Sequence, residues 1–96
     1  MMQGTESEMA THDHESIAAS LERFVREHFQ IAGDDPFFSR TVHLWEEGYV
    51  DSAGVVQTIA YLEGLYGVEL SQEAVSDPAF TNIDGIARMI ARLLEG

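Results

Sequence analysis

The stretch Gly48-Tyr49-Val50-Asp51-Ser52-Ala53-Gly54, with the unbroken run that follows it to Gly67, leaves the chain little choice of local structure. Asp51 carries a short carboxylate suited to accept hydrogen bonds from the unpaired N–H groups of a helix's first turn. Val55, Ile59, Leu62 and Tyr66 recur at i, i+4, i+7 and i+11, one face of a 3.6-residue period. Gly67 is the residue type that most readily takes the left-handed conformation ending such a helix. The pattern predicts a helix opening at Ser52, with that hydroxyl at the helix's positive end. A serine in this position has two readings: a second capping residue, or a group displayed for chemistry.

The rest of the chain can be arranged around that helix. Met1 to about His14 is polar, acidic and without period, and reads as a disordered acidic tail. His12-Asp13-His14 has metal-ligand letters, but two imidazoles on a loose tail lack the fixed surroundings of a metal site, so no metal is expected. Residues 15–96 read as one domain. A first helix is expected from about Glu15 to Phe29, burying Ile17, Leu21, Phe24, Val25 and Phe29, with Glu22 and Arg26 paired at i, i+4. His28 near its end is read as compensating the helix dipole.

Gln30 to Val50 is a long connection that opens with the turn signal Gly33-Asp34-Asp35-Pro36. Phe37, Phe38, Leu44, Trp45, Tyr49 and Val50 are too many large apolar groups for a loose loop. They are expected to pack down on the helices, with a short helical turn around Phe37 to Arg40 and with His43 as a hydrogen-bonding group. Ser71 to Val75 suits a short third helix, Asp77-Pro78 breaks it, and Phe80 is an expected core anchor. Thr81 and Asp84 have capping-box spacing before a last helix, about Asn82 to Leu94, that turns Ile83, Ile86, Ala87, Ile90, Leu93 and Leu94 inward. The fold class is therefore all-α: three main helices, one short helix, and a long packed loop between the first two.

Composition excludes several functions. The net charge is −12 over 96 residues, and all five cations are arginines. Between Arg40 and Arg88 there is no cation, while Glu46, Glu47, Asp51, Glu63, Glu69, Glu73, Asp77 and Asp84 fall there. Such a surface repels phosphate backbones and anionic lipid, so neither nucleic acid nor membrane is an expected partner. Basic protein surfaces are attracted instead, although the same acids also serve plain solubility. No apolar run approaches membrane-spanning length. Cysteine is absent, which rules out disulfides and thiolate metal sites. The N-terminus has neither the basic region nor the apolar core of a signal peptide, so a cytoplasmic address is expected. Ser52 also fails as a hydrolase nucleophile: the elbow motif needs glycine where Val50 stands, and a strand before the serine. A calcium loop begun at Asp34 fails at its twelfth position, which is Trp45.

Asp51-Ser52 followed by Leu62-Glu63, Tyr66 and Val68-Glu69-Leu70 resembles the phosphopantetheine-dependent carrier proteins: acyl, peptidyl and D-alanyl carriers. Locally, Asp51-Ser52-Ala53-Gly54-Val55-Val56-Gln57 looks most like the D-alanyl type. Asp77-Pro78-Ala79-Phe80-Thr81-Asn82-Ile83 is similar to the start of the last helix in stand-alone carriers. The resemblance spans roughly Ile17 to Leu94. It implies an acyl-carrier-protein-like bundle and 4′-phosphopantetheine from coenzyme A on Ser52, with Asp51 helping to present that serine. The implied partners are a phosphopantetheinyl transferase, an adenylate-forming ligase and downstream acyl-transfer enzymes. The protein itself would be a monomeric substrate and not an enzyme. Leucine usually follows the serine in fatty-acid carriers, where this chain has Ala53, and acids of that recognition helix are replaced by Gly54, Gln57 and Gly64. These departures favour an aminoacyl or small-acyl cargo.

At 100° per residue, Ala53, Gln57, Ala60, Tyr61 and Gly64 face away from the expected buried line, with Val56 beside Ser52. Ala53, Val56, Gln57, Ala60 and Glu63 are the candidate partner surface. Trp45, Phe37, Phe38, Tyr66 and Phe80 already fill the expected core, which leaves little room for a long acyl chain. The alternative from a different class is an unmodified helical adaptor in which Ser52 is only a helix cap.

Overall fold

The computed structural model describes residues 13–95, and among them there are helices, turns and no strands. Helix α1 (His14–His28) starts on an N-cap at Asp13, whose carboxylate accepts from Ser16 N–H at 2.9 Å. The helix therefore begins one residue before the expected Glu15, with His14 as its first residue, and the expected tail up to His12 lies outside the described residues. At the other end the chain turns through Gln30 (φ 56°), and Ile31 N–H reaches back to Arg26 C=O at 3.0 Å. That closes the helix one residue earlier than its periodicity predicts, with Phe29 as the C-cap.

Helix α2 (Ser52–Tyr66) begins and ends where its letters place it. Asp51 is the N-cap, and Gly67 stops the helix at φ 67°, its N–H bonded to Glu63 C=O. Helix α3 (Gln72–Ser76) is a single capped turn, with Ser71 Oγ accepting from Ala74 N–H. A 3₁₀ turn, Pro78–Thr81, then drives Phe80 into the core with no exposure. Helix α4 (Ile83–Glu95) follows. Its cap is Asn82, whose side-chain oxygen accepts from Gly85 N–H at 2.7 Å. The expected Thr81/Asp84 box does not form. Thr81 Oγ1 donates to Pro78 C=O, and Asp84 is drawn away to His14 (2.7 Å) and Arg88 (3.0 Å).

The core is built mainly where α1 and α4 lie against each other. Ile17, Ala18, Leu21 and Val25 of α1 meet Ile83, Ile86, Ala87, Met89 and Ile90 of α4, all buried. Leu93, expected inward, is 43% exposed. Met89 precedes it by four residues on the same edge and is 6% exposed, so cover on that edge ends one turn before Leu93.

Helix α2 runs antiparallel to α1 and is held differently. Its buried residues are Gly54, Thr58 and Leu62, whereas Val55, Ile59 and Tyr66 are half-buried. The buried line is thus shifted from the predicted one. Gly54 has no side chain and lets Phe29 and Val50 close on its backbone: a Cβ there would stand 2.6 Å from the Phe29 ring and 2.7 Å from a Val50 methyl. Thr58 is tolerated inside because its hydroxyl donates to Gly54 C=O at 2.8 Å, which satisfies the buried polar group. Tyr61, predicted to face outward, is half-buried and stacked on Phe24 at 4.0 Å.

The connection from α1 to α2 contains turns and bends but no helix, so the helical turn expected near Phe37 does not form. Asp35 accepts from Phe37 N–H at 2.8 Å and fixes a local turn instead. Phe37 stands on that turn, 80% exposed, and takes no part in the core. Phe38 occupies the interior place, against Tyr49 (5.1 Å) and under the Arg26 guanidinium (4.5 Å). Leu44 and Val50 complete the packed part of the loop, which is tied to the start of α4 by Leu44 N–H to Thr81 C=O and Asp84 N–H to Arg40 C=O, both 2.8 Å.

Candidate functional site

The approach to α2 is fixed before Ser52 is reached. Gly48 turns the chain at φ 82°, a conformation costly for other residues. Tyr49 donates its hydroxyl to Asp35 Oδ2 (3.2 Å), and burial followed by that carboxylate pushes the phenol's pKa upward, so it remains a donor. Val50 N–H bonds to Leu44 C=O at 3.1 Å, and its side chain is 2% exposed. Asp51 follows in extended conformation. Its carboxylate accepts from Gly54 N–H at 2.8 Å, and its carbonyl accepts from Val55 N–H at 2.9 Å.

The Asp51 carboxylate thereby satisfies the amide of Gly54, and Val55 N–H makes the first bond of the helix ladder. The amides of Ser52 and Ala53 remain for solvent or an anion. The cap is Asp51. Ser52 is exposed, and its hydroxyl is bonded to no described residue. The local chain thus presents one free hydroxyl on a rigid first turn, beside unused N–H groups.

An open groove of about 520 Å³ lies against this turn, lined by Trp45, Val50, Asp51, Ser52 and Val55. Trp45 was expected to be core. It is half-buried, tilted on Phe80 at 6.3 Å and edge-on to His43 at 6.5 Å, so part of it remains a groove wall. Only its spacing from Asp51 in a packed loop pointed toward the site, and many loop folds would satisfy that spacing. His43 Nδ1 accepts from Glu46 N–H at 3.1 Å, a structural bond as expected for a loop histidine.

The remaining candidates lie along α2. Ala53, Gln57 and Ala60 are exposed, and Val56 is 66% exposed. Two of the five have engaged side chains. Gln57 Oε1 is 2.7 Å from His28 Nε2, so His28 is an interhelical tie and not merely a dipole partner. Glu63 is half-buried, its carboxylate accepting from Leu70 N–H at 2.9 Å. It braces the turn after Gly67. Tyr61, in the predicted outward strip, is withdrawn toward α1 as described.

Three of the five arginines, Arg26, Arg40 and Arg88, are engaged by acids of α1 and α4. Arg26 and Arg40 share Glu22 (3.0 and 2.9 Å), Arg40 also reaches Glu15 (2.9 Å), and Arg88 reaches Asp84. The Arg40 guanidinium hydrogen-bonded to Glu22 is the main reason that carboxyl titrates below its ordinary value. Among the described residues there is no cluster of side chains able to hold a metal ion. No helix among them is long and apolar enough to cross a membrane.

No protein-family model matches the chain, no curated protein matches it, and no solved structure matches it.

Proposed function

We propose that the protein is a carrier, an acyl-carrier-protein-like bundle that holds an acyl or aminoacyl group as a thioester on 4′-phosphopantetheine at Ser52. The observation that carries the reading is the free, exposed Ser52 hydroxyl on a turn whose capping is done by Asp51. Were Ser52 kept only as a cap, its hydroxyl would be spent on a helix amide. Here that bond is made by its neighbour.

The residues present suit the group. Ser52 Oγ would attack the phosphoryl group of coenzyme A that carries the pantetheine. An O–P bond forms, the phosphoanhydride P–O bond breaks, and adenosine 3′,5′-bisphosphate leaves. The serine proton passes to a base on the transferase. The amides of Ser52 and Ala53 lie where a phosphodiester anion is stabilised by a helix N-terminus. Once attached, the group supplies a terminal thiol on a flexible arm, which raises the effective concentration of cargo at each partner. Asp51 keeps the turn ordered so that Ser52 is presented in one conformation.

In this reading the protein is a substrate and not an enzyme, and works as a monomer in the cytoplasm. Its partners are a phosphopantetheinyl transferase, an adenylate-forming ligase and downstream acyl-transfer enzymes. The groove beside Ser52 is open, which suits a short or polar cargo better than a sequestered long chain.

The test is intact mass after incubation with a broad-specificity transferase and coenzyme A. One phosphopantetheinyl group should add at Ser52, and Ser52→Ala should abolish the gain while leaving helical circular dichroism intact. A gain mapped to Ser16, Ser20, Ser39, Ser71 or Ser76 would sink the site assignment. No gain on the folded chain would favour the unmodified adaptor.

The partner surface has its own test. Ala60 is exposed and uncharged, whereas the Glu63 carboxylate is already engaged with Leu70. Ala60→Arg should slow loading by the cognate ligase more than Glu63→Gln, which keeps an acceptor for Leu70 N–H. Loading kinetics at two salt concentrations check this. A costlier Glu63→Gln, with the difference abolished by salt, would make recognition electrostatic instead.

A further inference from the structure

Anything attached to Ser52 Oγ starts in the groove that Ser52 itself lines. The groove has two characters. At its α2 end is Ser52, whose amide is unused. Its apolar walls are Trp45 and Val50 from the loop and Val55 from the first turn of α2. Charge separates the two parts further. No cation lines the groove, and the exposed acids Glu46 and Glu47 follow Trp45 directly on its loop side. An anion therefore has one favourable position, at the helix amides, and a neutral group has the rest.

Resting on the carrier reading of Ser52, we propose that this groove seats the near, neutral part of the pantetheine arm, with its paired methyl groups against Trp45 and Val55. The phosphodiester stays at the first turn of α2. The arm leaves toward the loop side and not along the exposed face of Ala53, Gln57 and Ala60, none of which lines the groove.

Three observations favour this seat. The walls are preformed: Val50 is fixed by Leu44 C=O and Trp45 leans on Phe80, so little ordering is lost on docking. The Trp45 indole N–H donates to no described residue, which leaves it free for a hydroxyl or amide carbonyl of the arm. A volume of about 520 Å³ falls within the range of about 300–1,000 Å³ usual for small-molecule sites.

Trp45 is the chain's single tryptophan, so its emission reads this groove alone. The full-length protein is measured before and after modification with coenzyme A and a broad-specificity transferase. Intact mass is taken on the same samples. The seat predicts a blue shift and weaker acrylamide quenching of Trp45 on modification. It also predicts nuclear Overhauser cross-peaks from the arm's geminal methyls to the Trp45 ring and the Val55 methyls. A mass gain at Ser52 with unchanged emission and no such cross-peaks, or with cross-peaks to Val56 and Ala60 instead, overturns the seat and leaves the carrier reading standing. Absence of a mass gain at Ser52 overturns both.

Discussion

Helices α1 and α4 hold each other through two continuous stripes, whereas α2 is held by exceptions to a stripe. In the first pair, branched aliphatic residues at helical spacing are buried on both sides. On α2 the three buried positions are a glycine, a threonine and a leucine, and the flanking apolar residues are half-exposed. Its cover comes from aromatics and from the loop: Phe29 over Gly54, Phe24 on Tyr61, Val50 behind the first turn. The difference separates two tasks. One pair of helices carries most of the apolar burial, and the helix that displays Ser52 is free to keep small, uncharged side chains outside.

The largest effect should come from matched truncations on the two sides. Ile86 is fully buried, and Ile86→Ala should cost about 3 kcal/mol through lost transfer energy and a residual cavity. Ile59 is half-buried on α2, and Ile59→Ala should cost about 1 kcal/mol, in proportion to the smaller area withdrawn from water. Urea unfolding of both variants measures the gap. Equal losses would mean that α2 is as much a part of the core as α4, and the division of tasks would fail.

A subtler comparison uses glycine. Gly85 sits in the first turn of α4 against the backbone of the 3₁₀ turn; an added Cβ would overlap the Ala79 carbonyl oxygen and lie 2.9 Å from its carbon. Backbone cannot swing aside, so Gly85→Ala should destabilise by about 2 kcal/mol as overpacking. At Gly54 the nearest obstacle is the edge of the half-buried Phe29 ring, which can swing aside, while a methyl of the buried Val50 must shift by a smaller amount. Gly54→Ala should cost about 1 kcal/mol or less, because helix propensity gained offsets part of the strain. The telling readout for Gly54 is nuclear magnetic resonance: Phe29 and Val50 resonances should move while those of Ile86 and Ile90 stay. A larger loss at Gly54 than at Gly85 would reverse the comparison.

The smallest effect is electrostatic and belongs to the α1–α4 side. The Arg40 guanidinium, hydrogen-bonded to Glu22, holds that carboxyl below its ordinary value, and Arg88 followed by His14 does the same for Asp84. A depressed carboxyl contributes stability above its unfolded pKa and loses it as pH falls through the folded value. The wild type should therefore weaken steadily as pH falls through and below the ordinary carboxylate range, and Glu22→Gln should flatten that slope. Thermal melts between neutral and acid pH check it; an unchanged slope would mean the Arg26–Glu22–Arg40 cluster is too solvent-screened to matter.

Much of this was legible in the letters. Asp51, Ser52 and Gly67 set the ends of α2 because capping and left-handed stops are local chemistry, decided within four residues. The stripes of α1 and α4 were legible for the same kind of reason, since periodicity is a property of the segment itself. The free Ser52 hydroxyl follows from the same local rules once Asp51 takes the cap. Tertiary structure decided the rest. Whether Phe37 or Phe38 enters the core depends on a turn fixed by Asp35, and neighbouring phenylalanines look alike in sequence. The choice of Asn82 as cap depends on Asp84 being claimed by His14, seventy residues away in the chain. Trp45 becomes a groove wall, and Tyr61 turns inward, through what α1, the loop and Phe80 bring beside them. Local hydrogen bonds and periodicity are written in order along the chain; competition among distant groups for the same space and the same partner is not, and it is resolved only when the chain closes on itself.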